Sequence, residues 1–109
     1  MKTRAMSATI LLLMSMSSAF PTVRIYDDRG GQIGEYLAKF QALRVSGEQV
    51  VIDGTCASAC TMLLGTIPRN RICVTPRAVL EFHIRHGGLH SRMIYLRGPE
   101  LAAMYPICQ

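Results

Sequence analysis

Short β-branched runs alternate with apolar helical segments in this sequence, and that alternation constrains its fold more than any other feature. Residues 23–26 and 49–53 have the composition of short strands. Between them, residues 32–45 carry apolar side chains every three or four positions, which predicts a helix that stops at Gly47. Its predicted buried stripe consists of Ile33, Tyr36, Leu37, Phe40 and Leu43. Strands that alternate with helices favour an α/β domain with a small parallel sheet.

The second half of the chain continues this pattern less regularly. A short apolar helix is predicted over residues 59–67, and two short strands separated by Pro76 are predicted after it. Beyond His83 the sequence predicts a loop, then a short strand or turn, then a helix with proline in its first turn. The predicted ranges are 71–75 and 78–83 for the strands, 85–90 for the loop, 93–96 for the strand or turn and 99–105 for the helix.

The N-terminal segment is typical of a secretory signal peptide. Residues 1–19 have a basic start, a short apolar stretch and a small-residue ending, so we expect cleavage after Ala19. A membrane anchor or a buried helix is the alternative. Residues 20–109 then form one predicted domain in the periplasm or outside the cell, with a core in residues 22–83 and a tail in residues 85–109.

The charge distribution argues against nucleic-acid binding. Removal of Lys2 and Arg4 with the leader lowers the formal net charge from +5 to +3. The remaining basic side chains are scattered singly without interleaved aromatic residues, whereas nucleic-acid surfaces cluster them. We therefore interpret them as a solvated surface.

An even number of cysteines in an exported chain indicates disulfides. The four are Cys56, Cys60, Cys73 and Cys108, and they allow three pairings. We favour a bridge from Cys56 or Cys60 to Cys73 or Cys108, which would join the segment around residue 58 to the next strand or to the tail. A cysteine nucleophile or redox pair is the alternative, but the four-residue spacing does not match Cys-x-x-Cys.

Ser58 lies among small residues where a strand is predicted to meet a helix. In such a turn its hydroxyl can project, and the Ala59 amide at the helix start can stabilise an oxyanion. The Gly30-Gly31 turn follows the neighbouring strand and can bring a second backbone amide close. His83 ends a later strand and can act as general base. The alternative is that Ser58 is a helix cap and His83 an ordinary strand residue.

The motifs resemble those of the ClpP/crotonase-like superfamily, in particular its small secreted bacterial members. The resemblance covers residues 22–83 and rests on Asp28-Arg-Gly-Gly-Gln-Ile-Gly, Val50-Val-Ile-Asp-Gly-Thr-Cys-Ala-Ser-Ala-Cys-Thr and the segment of residues 71–83. It implies a fold of repeated β-α units. It also implies that Ser58 is the nucleophile, that His83 is the base 25 residues later, and that the amides of Gly31 and Ala59 form the oxyanion hole.

The chain departs from the family pattern after His83. The family's third triad member is an aspartate well downstream, whereas only 26 residues follow His83 here, with Glu100 as their one carboxylate. Relative to the family, we expect that an internal segment is missing and that the sheet is incomplete. Glu100 can replace the aspartate only if the terminal helix folds back over the sheet.

We predict no cofactor and no metal. The sequence lacks a phosphate-binding Gly-x4-Gly-Lys motif. His83, His86 and His90 invite a zinc hypothesis, but the Gly87-Gly88 pair between them favours a polar loop.

Two classes of function follow from these residues. The first is an extracytoplasmic serine hydrolase or peptidase that acts on a peptide or another acyl substrate through Ser58 and His83. The second is a non-catalytic or degenerate relative that binds a partner as a scaffold, and a shortened product that folds poorly is a third possibility. We expect a homo-oligomer, no nucleic-acid partner and no membrane contact beyond the signal peptide.

Overall fold

The computed structural model describes residues 21–86 and 90–109. The predicted leader and the Gly87-Gly88 pair lie outside these residues. The described elements are, in order, β1 (Thr22–Asp28), α1 (Ile33–Ser46), β2 (Gln49–Ala57), a 3-10 helix (Ser58–Met62), α2 (Leu63–Thr66), a 3-10 turn (Arg69–Arg71), β3 (Ile72–Val74), β4 (Val79–His86), β5 (His90–Arg97) and α3 (Pro99–Met104). The α/β class predicted from the sequence is confirmed.

The strand β2 is the centre of the sheet. On one edge it pairs in parallel with β1, from Thr22 opposite Gln49 to Asp28 opposite Cys56. On the other edge it pairs in parallel with β3 at residues 50–52 and with β4 at residues 55–57. β1 pairs with the first edge of β2 over most of the strand. β3 and β4 share the second edge, with β3 on the first part of β2 and β4 on the last part.

Of the elements predicted after His83, the short strand at residues 93–96 and the terminal helix are present, but the loop has the wrong bounds. Residues 85–90 were expected to form a loop, but β4 continues to His86 and β5 begins at His90. The two strands form an antiparallel hairpin, in which His83 lies opposite Met93 and Val79 opposite Arg97. The sheet is therefore mixed rather than parallel. The Gly87-Gly88 pair, on which the predicted loop was based, follows β4 and precedes β5 in the sequence.

A β-bulge interrupts the pairing of β1 and β2. Two steps along β1, from Ile25 to Asp27, match three along β2, from Ile52 to Thr55. At Gly54 in this bulge, a Cβ atom would lie 1.7 Å from the carbonyl oxygen of Tyr26, so only glycine fits. The bulge lies four residues before Ser58 and increases the local twist of β2 where it approaches that residue.

Helix α1 begins and ends close to its predicted bounds, and Gly47 ends it with a left-handed φ of 77°. The predicted buried stripe is only partly correct. Phe40 and Leu43 are buried, but Ile33 is 68% exposed and Leu37 is 40% exposed. The first turn of α1 lies beside an open cleft, which Ile33 lines, whereas Tyr36 of the same turn is partly buried against the core.

Arg71 contradicts the interpretation of all basic side chains as solvated surface. Its guanidinium donates hydrogen bonds of 2.7–2.9 Å to the carbonyl oxygens of Leu43, Arg44 and Glu48. Two of these carbonyls belong to the last turn of α1, where no following turn of helix supplies backbone donors. Arg71 therefore joins the end of α1 to the start of β3.

All four cysteines form disulfides, but the pairing that we favoured is wrong. Cys56 pairs with Cys60, and Cys73 pairs with Cys108. Cys56 and Cys60 lie on either side of the chain reversal at Ser58, which brings their Cα atoms to 5.3 Å. The second bridge joins β3 to the tail, which also pairs with β3 through Val74 and Ile107.

Asp53 is a buried carboxylate on β2 that receives four side-chain hydrogen bonds. Arg77 donates two, at 3.0 and 2.6 Å, and Thr75 and Arg24 donate one each, at 2.7 and 2.9 Å. The carboxylate side chain is 2% exposed. These hydrogen bonds, with Arg77 first, hold the pKa of Asp53 well below its usual range. Thr75 and Arg77 lie between β3 and β4, so Asp53 fixes the turn that leads into β4.

The bridge between Cys73 and Cys108 is predicted to contribute strongly to stability. It closes a segment with a sequence separation of 35 residues. Replacing both cysteines with alanine should lower the free energy of unfolding by about 4 kcal/mol, because the unfolded chain regains the entropy of that loop. Urea unfolding measures the change. Under reducing conditions the wild type and the variant should unfold at similar urea concentrations, and a large remaining difference would contradict this explanation.

Asp53 is predicted to make the fold sensitive to acid. A carboxylate whose folded pKa is lowered stabilises the fold above its unfolded pKa of 3.8, and this contribution is lost as the pH falls towards the folded value. Asp53→Asn should therefore lower the melting temperature at pH 7 and flatten its dependence on pH below about 4. Asp27→Asn is the matched control, since among the described residues Asp27 pairs only with Arg29, at the surface. Equal acid profiles for wild type and Asp53→Asn would contradict the prediction.

Candidate active site

Ser58 has a backbone conformation that serine rarely adopts. Its φ is 54°, and it is the one non-glycine residue with positive φ among the residues that the structure describes. The preceding Ala57 is still extended, with φ of −118° and ψ of 149°, so the chain reverses abruptly at Ser58. A left-handed conformation costs a residue with a side chain about 1–2 kcal/mol, and strain of this kind often marks functional sites.

Local interactions hold the chain in this strained turn. The disulfide between Cys56 and Cys60 spans Ser58, and both cysteines are fully buried. The Thr61 hydroxyl donates a hydrogen bond of 2.6 Å to the carbonyl oxygen of Ser58. Ala59, the next residue, is also buried. The surrounding structure therefore determines the conformation of Ser58, and the hydroxyl is placed where the sheet ends.

The Gly30-Gly31 turn meets this junction directly. A Cβ atom on Gly30 would lie 2.9 Å from the Cβ of Ser58, 3.0 Å from the amide nitrogen of Ala59 and 2.7 Å from the carbonyl oxygen of Ala57. No side chain fits in that space, and Gly30 also has a φ of 87°. The structure thus brings together the two turns from which the sequence predicted a pair of backbone donors, at Gly31 and Ala59.

The pairing of β4 with β2 places His83 at the same end of the sheet. Ala57, the last residue of β2, lies opposite Glu81, so β4 continues two residues further to reach His83. Ser58 and His83 line the same cleft, which has a volume of about 200 Å³. Its other lining residues are Ile33, Ala59, Thr61, Met62 and Phe82. The predicted nucleophile and the predicted base therefore face one open space.

The predicted catalytic group is nevertheless incomplete. Within the described residues, no hydrogen bond joins the Ser58 hydroxyl to the imidazole of His83, and His83 is exposed. Glu100 does not take the place of a third member. It follows Arg97, which lies opposite Val79 at the start of β4, whereas His83 lies four residues further along that strand. The terminal helix α3 therefore sits at the opposite end of β4.

The zinc hypothesis depends on His86 and His90, whose side chains lie outside the described part of the structure. His86 and His90 lie opposite one another near the end of the hairpin. Among the residues that the structure describes, no group of three or more His, Cys, Asp or Glu side chains is arranged to hold a metal ion. All four cysteines are in disulfides, so the alternative of a free cysteine nucleophile is wrong for the bonded chain.

Sequence reasoning missed the contacts of Asp28 and Tyr36 beside the Gly30-Gly31 turn. Asp28 Oδ1 accepts hydrogen bonds from the Gly30 amide at 3.0 Å and from the Tyr36 hydroxyl at 2.5 Å. The hydrogen bond to Asp28, together with desolvation, raises the pKa of Tyr36 to about 12. One signal was available, because an aspartate two residues before a glycine commonly forms a side-chain turn of this kind. The partner role of Tyr36 depends on tertiary structure.

Comparison of the chain with family models, with curated proteins and with solved structures finds no match.

The strain at Ser58 predicts an order of stability for two variants. Glycine adopts positive φ without a steric penalty, whereas alanine retains most of it. Ser58→Gly should therefore be more stable than Ser58→Ala by about 1 kcal/mol. Thermal and urea unfolding of the two variants test this order. If Ser58→Ala were clearly the more stable of the two, the left-handed conformation of residue 58 would be refuted.

Proposed function

We propose that this protein is an extracytoplasmic serine hydrolase of the Clp type, acting on a peptide or another acyl substrate. Ser58 is the nucleophile, His83 is the general base, and the amides of Gly31 and Ala59 stabilise the oxyanion. The observation that carries the proposal is the strained Ser58 turn, at φ 54°, in direct contact with the Gly30-Gly31 turn. A serine that only capped a helix would require neither a left-handed backbone conformation nor a glycine packed against it.

The proposed reaction uses Ser58, Ala59 and His83, which line the cleft, together with the Gly31 amide of the adjacent turn. The Ser58 oxygen attacks the acyl carbon while its proton passes to His83, and the two backbone amides balance the negative charge on the carbonyl oxygen. His83 then returns the proton to the leaving group, which departs and leaves an acyl-enzyme. A water molecule, deprotonated by His83, then attacks the acyl carbon. The bond from that carbon to the Ser58 oxygen breaks, His83 returns the proton to Ser58, and the acid product leaves.

The absence of an orienting carboxylate sets an expectation for the rate. In a serine triad, that carboxylate holds the histidine in the correct tautomer, and its loss costs about 10⁴-fold in turnover. A pair of Ser58 and His83 would therefore be a slow catalyst. It would still react with an activated phosphonate, because such a probe needs only a moderately activated hydroxyl and an oxyanion hole.

The wider family assignment is part of the same proposal. The order of a glycine turn, a strained serine and a histidine in β4, three residues before the end of that strand, supports a ClpP/crotonase-like fold with fewer elements than the family has. The described sheet is small and mixed, with β1, β3 and β4 all parallel to β2. We also propose that copies of the chain associate, because a small core gains stability from a partner.

The location outside the cytoplasm has independent support. Two disulfides are compatible with an oxidising compartment such as the periplasm. Over the described ranges, no helix is both long enough and apolar enough to cross a bilayer.

A second candidate function is a non-catalytic scaffold that binds a partner. The observation in its favour is the exposed His83, which among the described residues has neither a hydrogen bond to Ser58 nor an ion pair with a carboxylate. In such a protein, Ser58 and His83 would be replaceable without loss of partner binding.

A fluorophosphonate probe distinguishes the two functions. The hydrolase should gain the mass of one adduct, measured on the intact mature protein, and Ser58→Ala should gain none. Ser46→Ala is the matched control, because Ser46 lies at the end of α1 and hydrogen-bonds to Leu43 and Glu48, away from the cleft. It should be labelled as fast as the wild type. An unlabelled wild type, or an adduct that survives in Ser58→Ala, would overturn the hydrolase proposal.

A further inference from the structure

Asp28 joins the end of β1 to the glycine turn that follows it. Its Oδ1 atom accepts a hydrogen bond from the Gly30 amide, with 3.0 Å between oxygen and nitrogen. This hydrogen bond closes a side-chain turn across Arg29. The side chain is 19% exposed, so the hydrogen bond is partly protected from water. Gly30 is thereby held at its left-handed φ of 87°. Its amide is engaged by Asp28, whereas among the described residues nothing accepts a hydrogen bond from the amide of Gly31.

Tyr36 connects the same carboxylate oxygen to the core. Its hydroxyl donates to Asp28 Oδ1 at 2.5 Å, and its ring packs edge-on against Phe40 with 5.8 Å between the ring centroids. Phe40 is 1% exposed. The Tyr36 ring also limits the space at Gly31, because a Cβ there would lie 3.1 Å from its Cε2 atom. A continuous set of contacts therefore runs from the core, through Tyr36 and Asp28, to the turn.

We propose that Asp28 and Tyr36 are positioning residues, which hold the Gly30-Gly31 turn so that the Gly31 amide points to the acyl oxygen of a substrate bound at Ser58. The inference rests on the hydrolase function proposed above. Neither side chain lines the cleft that Ser58 and His83 share, so both act through the backbone of the turn.

The physical reason is the freedom of two consecutive glycines. A Gly-Gly peptide can rotate between conformations that differ little in energy, and a rotated peptide would direct its N-H away from the substrate. An oxyanion hole accelerates the reaction only when its donors are already aligned before the charge develops. The hydrogen bond from Gly30 to Asp28 restrains one side of the turn, and the Tyr36 ring against Gly31 restrains the other.

Lys39 adds a weaker contact to this arrangement. Its ammonium group lies 4.0 Å from Asp28 Oδ2 and 5.5 Å from the centre of the Tyr36 ring. The Lys39 side chain is 59% exposed, so solvent screens the interaction. The restraint therefore depends on Asp28 Oδ1 and the Tyr36 hydroxyl rather than on the ion pair.

The test separates the rate of the chemical step from probe affinity. For each protein, labelling by a fluorophosphonate is followed over time at several probe concentrations, which gives the maximal inactivation rate and the half-saturating concentration. Asp28→Ala should lower the maximal rate about 10- to 100-fold, because misaligned donors act on the transition state. The half-saturating concentration should stay within about twofold, since ground-state binding does not use the oxyanion contact.

Two further variants isolate the hydrogen bonds. Tyr36→Phe keeps the ring against Phe40 and removes only the hydroxyl, so it should also lower the maximal rate and keep the fold. Asp28→Asn keeps an oxygen that can accept from Gly30 and should retain most of the rate. Asp27→Ala is the matched control, since the neighbouring Asp27 side chain is 60% exposed and, within the part of the chain that the structure describes, pairs only with Arg29. It should react like the wild type.

Each outcome decides a specific point. If the wild type is labelled at Ser58 and both Asp28→Ala and Tyr36→Phe react as fast as Asp27→Ala, the positioning role is overturned and the hydrolase function stands. If the wild type is not labelled at all, the hydrolase function fails, and the positioning role fails with it. If Asp28→Ala does not fold, as judged by circular dichroism, Tyr36→Phe decides the question alone. A slower Tyr36→Phe with wild-type half-saturation supports the proposal.

Discussion

The parallel pairing of β2 on both of its edges is the interaction on which the rest of the structure depends. β1 is aligned with one edge so that the turn after it ends beside Ser58, and β4 is aligned with the other so that His83 reaches the same end. Backbone hydrogen bonds set these registers, and a shift of one residue would move every side chain to the opposite face. The meeting of Gly30, Ser58 and His83 at one cleft is therefore a consequence of register.

Two charged side chains, Asp53 and Arg71, hold connecting segments that the strand pairing does not hold. Asp53 holds the turn into β4 through Thr75 and Arg77, and Arg71 attaches the end of α1 to the start of β3. In both cases a polar group that would be costly to bury alone is satisfied by partners from distant segments. Side chains thus join the end of α1 to β3, and β2 to the turn before β4, and these contacts stabilise the elements that carry the candidate site. Asp28 and Tyr36 play the same role at the glycine turn.

Much of this arrangement was predictable from local signals, and the rest was not. The strands up to residue 83, helix α1 with its Gly47 stop and the proline start of α3 followed from periodicity and turn residues. The candidate residues Ser58 and His83 were found from predicted strand ends, although β4 runs three residues beyond His83. The antiparallel hairpin was missed because Gly87-Gly88 favours a turn whether or not strands flank it. The exposed Ile33 was missed because periodicity defines a helix face without showing how much of that face is covered.

By itself, the sequence determined the α/β class, the positions of the turns and an even set of cysteines, because these depend on residues that are close together in the chain. Only the tertiary structure decided that Cys56 pairs with Cys60 and that Gly30 lies too close to Ser58 for a side chain to fit between them. It also decided that Glu100 lies far from His83. Those outcomes depend on strand register, on the bulge at Gly54 and on the direction in which β5 returns. No local pattern encodes them, since each depends on which distant segment forms the neighbouring strand.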